Sequence, residues 1–367
     1  MNEHPADRDG RPPPPEPPDP VAPADPAAAL AAQDSPGVVS SSSQSPGRSG
    51  PPGASTFTIE GRASPALFVI GWLASLLGLA IAFSGLLGGS ALLAGFVGPG
   101  LLSVGLIAAC GNQAFERRAR GALYAGPSPF LVFGTIVAIS LFAAYVLGTV
   151  LEIFVGDPSA VAGPVAQLIA GLLTAVIFVG VVRLTVVGTG ALSWAEMRIR
   201  RFDRRSIDDL AIGAALALPV ILVTSVLAGI LVALFSAEPT SPLPPTGTTT
   251  GLLLQLLVGA VIAPVSEEIL FRGYALTAWE RTIGPERAII RASLLFALAH
   301  VIGIEATTIQ EAGGLIVVGF ASRLPVAVAL GWVFVRRRSI WAPIGLHATF
   351  NGVLLLLAHL VTISGAT

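Results

Sequence analysis

The sequence predicts an all-α, polytopic membrane helix bundle of about eight to nine spans. Three observations carry that reading. Of the 367 residues, 53% are hydrophobic and only 12% charged, with a positive mean hydropathy, far from the balance of soluble domains. Runs of roughly 20 apolar residues, the length that crosses a bilayer, recur along most of the chain. Arginine falls in every second loop between those runs, as it does in cytoplasmic loops.

The amino-terminal stretch is a different material. Residues 1–62 are rich in Pro, Ser, Ala and Gly, as in "RPPPPEPPDPVAPADP". With almost no aromatic or branched apolar content they cannot bury a core, so a disordered cytoplasmic tail is expected. The basic-then-apolar pattern of a secretory signal is missing. Residues 63–204 then hold about four transmembrane helices, and 205–367 the remainder.

Candidate spans lie near 66–87, 91–111, 130–151, 165–187, 211–235, 251–271, 290–304, 315–335 and 340–362. The seventh is short, and Arg323 and Pro325 interrupt the eighth. Arg62 precedes the first span, "ERRAR" (116–120) follows the second, and "EMRIRRFDRRSIDD" (196–209) follows the fourth. Arg281, Arg287 and Arg291 follow the sixth, and "RRR" (336–338) the eighth. The alternate loops hold no arginine. A multi-pass protein of the cell membrane is expected, with its amino terminus inside and its carboxyl terminus outside.

All 21 basic residues are arginine, the net charge is −1, and no basic stretch suited to nucleic acid appears. The expected partners are membrane lipids and a polypeptide. A single cysteine, Cys110, excludes an internal disulfide and any multi-cysteine metal site.

Ionisable groups at membrane depth are costly and default to a functional reading. They are Arg183, Glu267, Glu268, Arg272, His300, Arg323, His347 and His359, with Asn351 the polar amide among them. If the sixth span ends near Arg272, Glu267 and Glu268 lie about 6–8 Å below that end at 1.5 Å per residue. His300 lies about 13 Å into its span, and His347 and Asn351 about 13–20 Å into theirs. Three spans thus place polar groups in the cytoplasmic half. Arg183 is expected to snorkel to the cytoplasm, and Arg323 outward unless Pro325 turns it in. His359 is expected at the outer interface.

Helical phase sorts these groups. Glu268 and Arg272 are i,i+4 and can pair, acid before base. Glu267 is rotated about 100° and is free to point elsewhere. His347 and Asn351 share a face, and Phe296 is placed to buttress His300. Pro264 can kink the helix beside the acids. A carboxylate in a low-dielectric cavity can take a proton from water, and two imidazoles and an amide can hold that water or stabilise an oxyanion. Ser266 adjoins the acids but lacks an elbow motif, so activated water is favoured over a covalent acyl-enzyme. Glu267, His300 and His347 are also a plausible zinc set, although HExxH is absent.

These residues resemble the CPBP family of intramembrane proteases, which groups CAAX prenyl proteases with bacteriocin-processing enzymes and is also called the Abi family. "SEEILFRG" (266–273) resembles its EExxxR motif, "SLLFALAH" (293–300) its FxxxH motif, and "IWAPIGLHATFNG" (340–352) its HxxxN motif. The resemblance covers roughly residues 205–360. It implies a membrane bundle with a cavity open to the cytoplasmic side and peptide-bond hydrolysis by water. By motif match Glu267 is the general base, with Glu268 and Arg272 its supporting pair. His300 positions water or polarises the carbonyl, and His347 and Asn351 complete the site, Asn351 as an oxyanion donor. Family members are described with both metallo and metal-independent glutamate mechanisms. The stretch "SRLP" (322–325) departs from the family pattern.

An intramembrane endopeptidase acting on a lipidated or amphipathic membrane-associated polypeptide is the expectation. A non-enzymatic immunity or scaffold protein keeping the fold, or a proton-coupled transporter, are the alternatives.

Overall fold

An apolar run placed in hydrocarbon has to satisfy its backbone polar groups internally, and helices do this within one segment. The computed structural model describes residues 59, 61–155, 163–237, 243 and 246–365, and these form helices and no strands. Most of the tail expected over 1–62 lies outside the described residues. The helices are α1 (Pro65–Leu87), α2 (Leu92–Ala119), α3 (Pro129–Phe154), α4 (Pro164–Val187), α5 (Arg204–Phe235), α6 (Thr249–Ile283), α7 (Pro285–Ala299), α8 (Ile309–Arg337) and α9 (Trp341–Ser364). All but α7 are long and apolar enough to cross a membrane, so the chain is a multi-pass membrane protein.

The boundaries follow from local chemistry. Proline opens α1, α3, α4 and α7, where a missing N–H costs no helix bond. Asp203 and Ser206 close a reciprocal capping box on α5. Thr308 accepts from Glu311 N at the start of α8.

Three expectations are revised. The seventh span becomes α7, whose 15 residues reach only about 22 Å, so it stops inside the thickness that its neighbours cross. α8 runs unbroken through Pro325. α6 continues beyond Arg272 to Ile283, so Arg272 is buried within the helix rather than marking its end. Residues 270–279 are buried on every face, which reads as apolar all round because protein, not lipid, surrounds them. Leu270, Phe271 and Tyr274 share one core with Cys110 of α2, Val132 and Phe133 of α3, and Val181 of α4. Tyr274 Oη donates to Pro127 O at 2.9 Å. The core therefore runs across residue 204.

The arginine-bearing loops meet one another. Ala63 N donates to Glu116, and Arg118 donates to Thr189 O. Arg281 pairs with Glu196 at 2.8 Å, and with Ser193 it holds that carboxyl down at about 2. Arg198 grips both oxygens of Glu280 at 2.9 and 2.7 Å. Arg337 pairs at 2.8 Å with Asp209, whose side chain is wholly buried. This chain of contacts gathers the basic loops at one end of the bundle, which fits the alternation read from the sequence.

Small residues set the closest helix approaches. A Cβ on Gly213 of α5 would overlap Ala342 O of α9, and one on Gly345 of α9 would overlap Leu210 O of α5. Gly345→Val is therefore expected to lower stability by at least about 3 kcal/mol through overpacking against backbone. Gly229→Val, where a Cβ meets open space, is expected to stay within about 0.5 kcal/mol. Thermal unfolding in detergent, read side by side for the two variants, checks both.

Candidate active site

The acids sit on the one turn of regular α-helix, Ala263–Glu268, between two wider π-helical segments of α6, Leu257–Ile262 and Ile269–Leu276. Such π turns are rare and leave carbonyls off the usual ladder. The pair expected from i,i+4 spacing still forms. Arg272 Nη1 donates to Glu268 Oε1 at 2.9 Å, with both side chains 0% exposed. Arg272 Nη2 donates to Ala327 O of α8 at 3.1 Å, and its guanidinium carbon lies 4.5 Å from the Phe296 ring centroid. His347 Nδ1 stands 2.8 Å from the same Glu268 oxygen. One ion pair thus touches four helices, α6 to α9.

Glu267 points elsewhere, as its phase requires. Its Oε2 is buried without a hydrogen-bond partner. His300 Nε2 lies 3.8 Å and His347 Nε2 3.9 Å from it. Both separations are too long for a hydrogen bond. They suit two groups that share one water about 2.8 Å from each.

The partners fix the tautomers. His300 Nδ1 is 2.7 Å from Phe296 O, which can only accept, so Nδ1 carries the proton. Glu268 Oε1 already accepts from Arg272, so His347 Nδ1 is a donor as well. In each neutral ring Nε2 then presents a lone pair. Three acceptors, two nitrogens and a carboxylate oxygen, converge with no donor between them. Such a site binds whatever brings protons or positive charge, and a water held there offers both hydrogens inward and its lone pairs outward.

One carboxylate and two imidazoles, each ring anchored through Nδ1 on an oxygen, is a donor set of the kind that holds catalytic zinc. In the geometry observed, no group of three such side chains among the described residues forms a metal-ion site.

Phe296 does more than buttress His300. Its ring centroid is 4.4 Å from that of His300 and 5.7 Å from that of His347, so it wedges both imidazoles and Arg272. Asn351 is brought beside the acid helix, but its Nδ2 donates to Gly259 O at 2.8 Å. That bond uses one of the two N–H donors of the amide that the resemblance assigns to an oxyanion. Ser266 Oγ bonds back to Ile262 O and Ala263 O, which leaves it no nucleophile's geometry. Arg183 is exposed on α4. His359 follows His347 on α9 by about 18 Å of helix, remote from the acids. Arg323 is expected to snorkel outward unless Pro325 turns it in. It is half-buried, and its Nη1 turns back one helical turn to Gly319 O, in an α8 that Pro325 does not break.

Fold and site together define a multi-pass helical membrane protein with two glutamates, two histidines, an arginine and an asparagine gathered within one bundle. Residues 249–353 match the family described as type II CAAX prenyl endopeptidase Rce1-like, and the matched segment is similar to the CPBP and CAAX-type intramembrane proteases. It runs from the start of α6 into α9 and contains every residue of the three motifs. No curated protein and no solved structure matches the chain.

Removing one partner of the buried pair leaves an uncompensated charge. Glu268→Ala is expected to cost about 3–5 kcal/mol. Glu268→Leu combined with Arg272→Met is expected to recover most of that, since a packed apolar pair replaces two buried ions. Unfolding in detergent of the single and double variants measures the difference.

Proposed function

We propose that the protein is an intramembrane endopeptidase that hydrolyses a peptide bond by water activated at Glu267. The observation that carries this reading is the convergence of Glu267 Oε2 with the Nε2 lone pairs of His300 and His347. A water there is oriented for attack on a carbonyl carbon. Glu267 takes one of its protons as the C–O bond forms, giving a tetrahedral intermediate. The same carboxyl group returns the proton to the departing nitrogen as the C–N bond breaks, yielding a carboxylic acid and an amine. Glu268 and Arg272 are positioning residues in this scheme. They hold the acid helix and His347, and their charge stays paired throughout. Asn351 positions α9 against the π turn at Gly259.

On this reading the substrate enters from the basic end. Arg198 ties Glu280 to Phe334 O at that end. Glu267 lies about 20 Å along α6 from Glu280, and His347 about 10 Å along α9 from Ile340. The arginine bias supports reading this end as cytoplasmic, with the amino terminus inside, the end of α9 outside, and the chemistry in the cytoplasmic half. The substrate class that fits is a membrane-associated polypeptide, lipidated or amphipathic, whose scissile bond is presented from the inner face. The CAAX-type family match supports peptide hydrolysis at a membrane.

Full-length protein in liposomes, given an internally quenched farnesylated CAAX peptide and, in parallel, candidates found by comparative terminal proteomics, tests this. Glu267→Gln and His300→Ala are each expected to lower kcat by about 10²–10⁴-fold, the usual contribution of a general base or its partner. Wild-type neo-termini that persist unchanged in the Glu267→Gln strain would sink the assignment.

A further inference from the structure

Glycines press α1 and α2 together. A Cβ on Gly71 would stand 3.1 Å from Ala109 N, and ones on Gly78 and Gly105 would overlap Leu102 N and Ser75 N. That pairing uses one face of α2. The neighbouring stripe, Val104, Ile107 and Gly111 at i, i+3 and i+7, floors a groove of about 360 Å³. Leu67 of α1 lines it on one side, and Leu184 and Thr189, at the end of α4, on the other. Its threonines do not make it polar. Thr185 Oγ1 donates to Val181 O at 2.7 Å and Thr189 Oγ1 to Thr185 O at 2.9 Å. Val104 and Leu184 are more than half exposed, so the groove opens sideways, toward lipid.

One end of this groove is charged. Arg118 Nη2 donates to Thr189 O, which seats its guanidinium on the groove's wall, where the basic loops gather. That bond takes one of five N–H donors, and Arg118 is exposed. The turn before α1 meets the same end. Ser64 Oγ donates to Asn112 Oδ1 at 3.2 Å, next to Gly111, and Arg62 lies 3.7 Å from the centroid of the Phe68 ring. The acid that meets this turn, Glu116, is engaged by Arg120 at 3.0 Å and by Ala63 N at 3.0 Å. A positive mouth above an apolar trough complements a molecule with an anionic head and an apolar tail.

The length of the groove selects among such molecules. Val104 lies about 21 Å along α2 from Arg118. Half of a bilayer of roughly 40–45 Å, headgroups included, is the same distance. A partner helix would need a surface running through both leaflets, whereas this trough spans one. We propose that the groove is a binding site for one anionic phospholipid of the leaflet at the basic end, its phosphate on Arg118 and one acyl chain laid down the trough to Val104. The lipid then fills the space between α1 and α4. All of these residues lie outside the 249–353 segment, so the site stands apart from the hydrolytic reading.

The test titrates the full-length protein in detergent with dioleoyl phosphatidylglycerol or with phosphatidylcholine of the same chains, and reads the first bound lipid by native mass spectrometry. Wild type is expected to bind phosphatidylglycerol about tenfold tighter than phosphatidylcholine. Arg118→Gln should weaken phosphatidylglycerol by about fivefold to tenfold and leave phosphatidylcholine within about twofold, which also shows that the fold is intact. Arg118→Lys should stay within about threefold of wild type, since the charge remains. Gly111→Leu, whose added carbons enter the trough beside Leu67, should weaken both lipids by about fivefold. Arg287→Gln, exposed on α7, is the surface-charge control and should change neither. Equal affinity of wild type for the two lipids overturns the proposal, and that comparison needs no variant. So does a loss of phosphatidylglycerol that is the same for Arg118→Gln and Arg287→Gln, since the attraction is then general to the surface. A dimer of the chain that Gly111→Leu splits also overturns it, because a second copy then occupies the groove.

Discussion

The buried ion pair between Glu268 and Arg272 is the constraint from which the rest of the site follows. Both side chains are fully enclosed, and an ion without its partner in such a place costs several kcal/mol. The pair therefore cannot separate, and neither can the helices that complete it. Ala327 of α8 satisfies one guanidinium nitrogen, Phe296 of α7 covers its face, and His347 of α9 shares the carboxylate oxygen. Four helices are locked at one level by two charges. With Glu268 so committed, the residue before it, Glu267, about 100° away, is the one left to face the two free Nε2 atoms.

Local helix geometry supports that division. π turns flank the acid-bearing turn on both sides. The wider turn before it contains Gly259, whose carbonyl holds Asn351. The turn after it carries Arg272 and begins the stretch buried on all faces. A polar cluster inside a membrane bundle is kept in place here by backbone carbonyls of neighbouring helices as much as by side chains. This satisfies donors that water cannot reach.

Much of this was legible in the sequence, and the limits have physical causes. Hydropathy and arginine alternation located the eight long helices, because both report on the bilayer itself. Spacing gave the Glu268–Arg272 pair, the divergence of Glu267 and the Phe296–His300 contact, because azimuth along one helix is fixed by 3.6 residues per turn. What spacing does not carry is which helix faces which. So Ala327 O and Gly259 O, being backbone groups of other segments, had no signature. Hydropathy also does not tell lipid from protein as the apolar neighbour. For that reason α6 seemed to end at Arg272, when it continues through a protein-lined interior to Ile283. The short α7 resulted from the same limit, since "VIGIE" (301–305) adds apolar residues beyond a helix that stops at Ala299.

The central claim is that water, taken up by Glu267 between two imidazole lone pairs, attacks the peptide directly. Single-turnover cleavage in ¹⁸O-water with added hydroxylamine tests it most directly. Direct attack by water predicts one ¹⁸O in the new carboxylate at the rate of bond cleavage and no hydroxamate product. A hydroxamate, or a burst of amine product ahead of the acid, would reveal an acyl-enzyme and contradict the account.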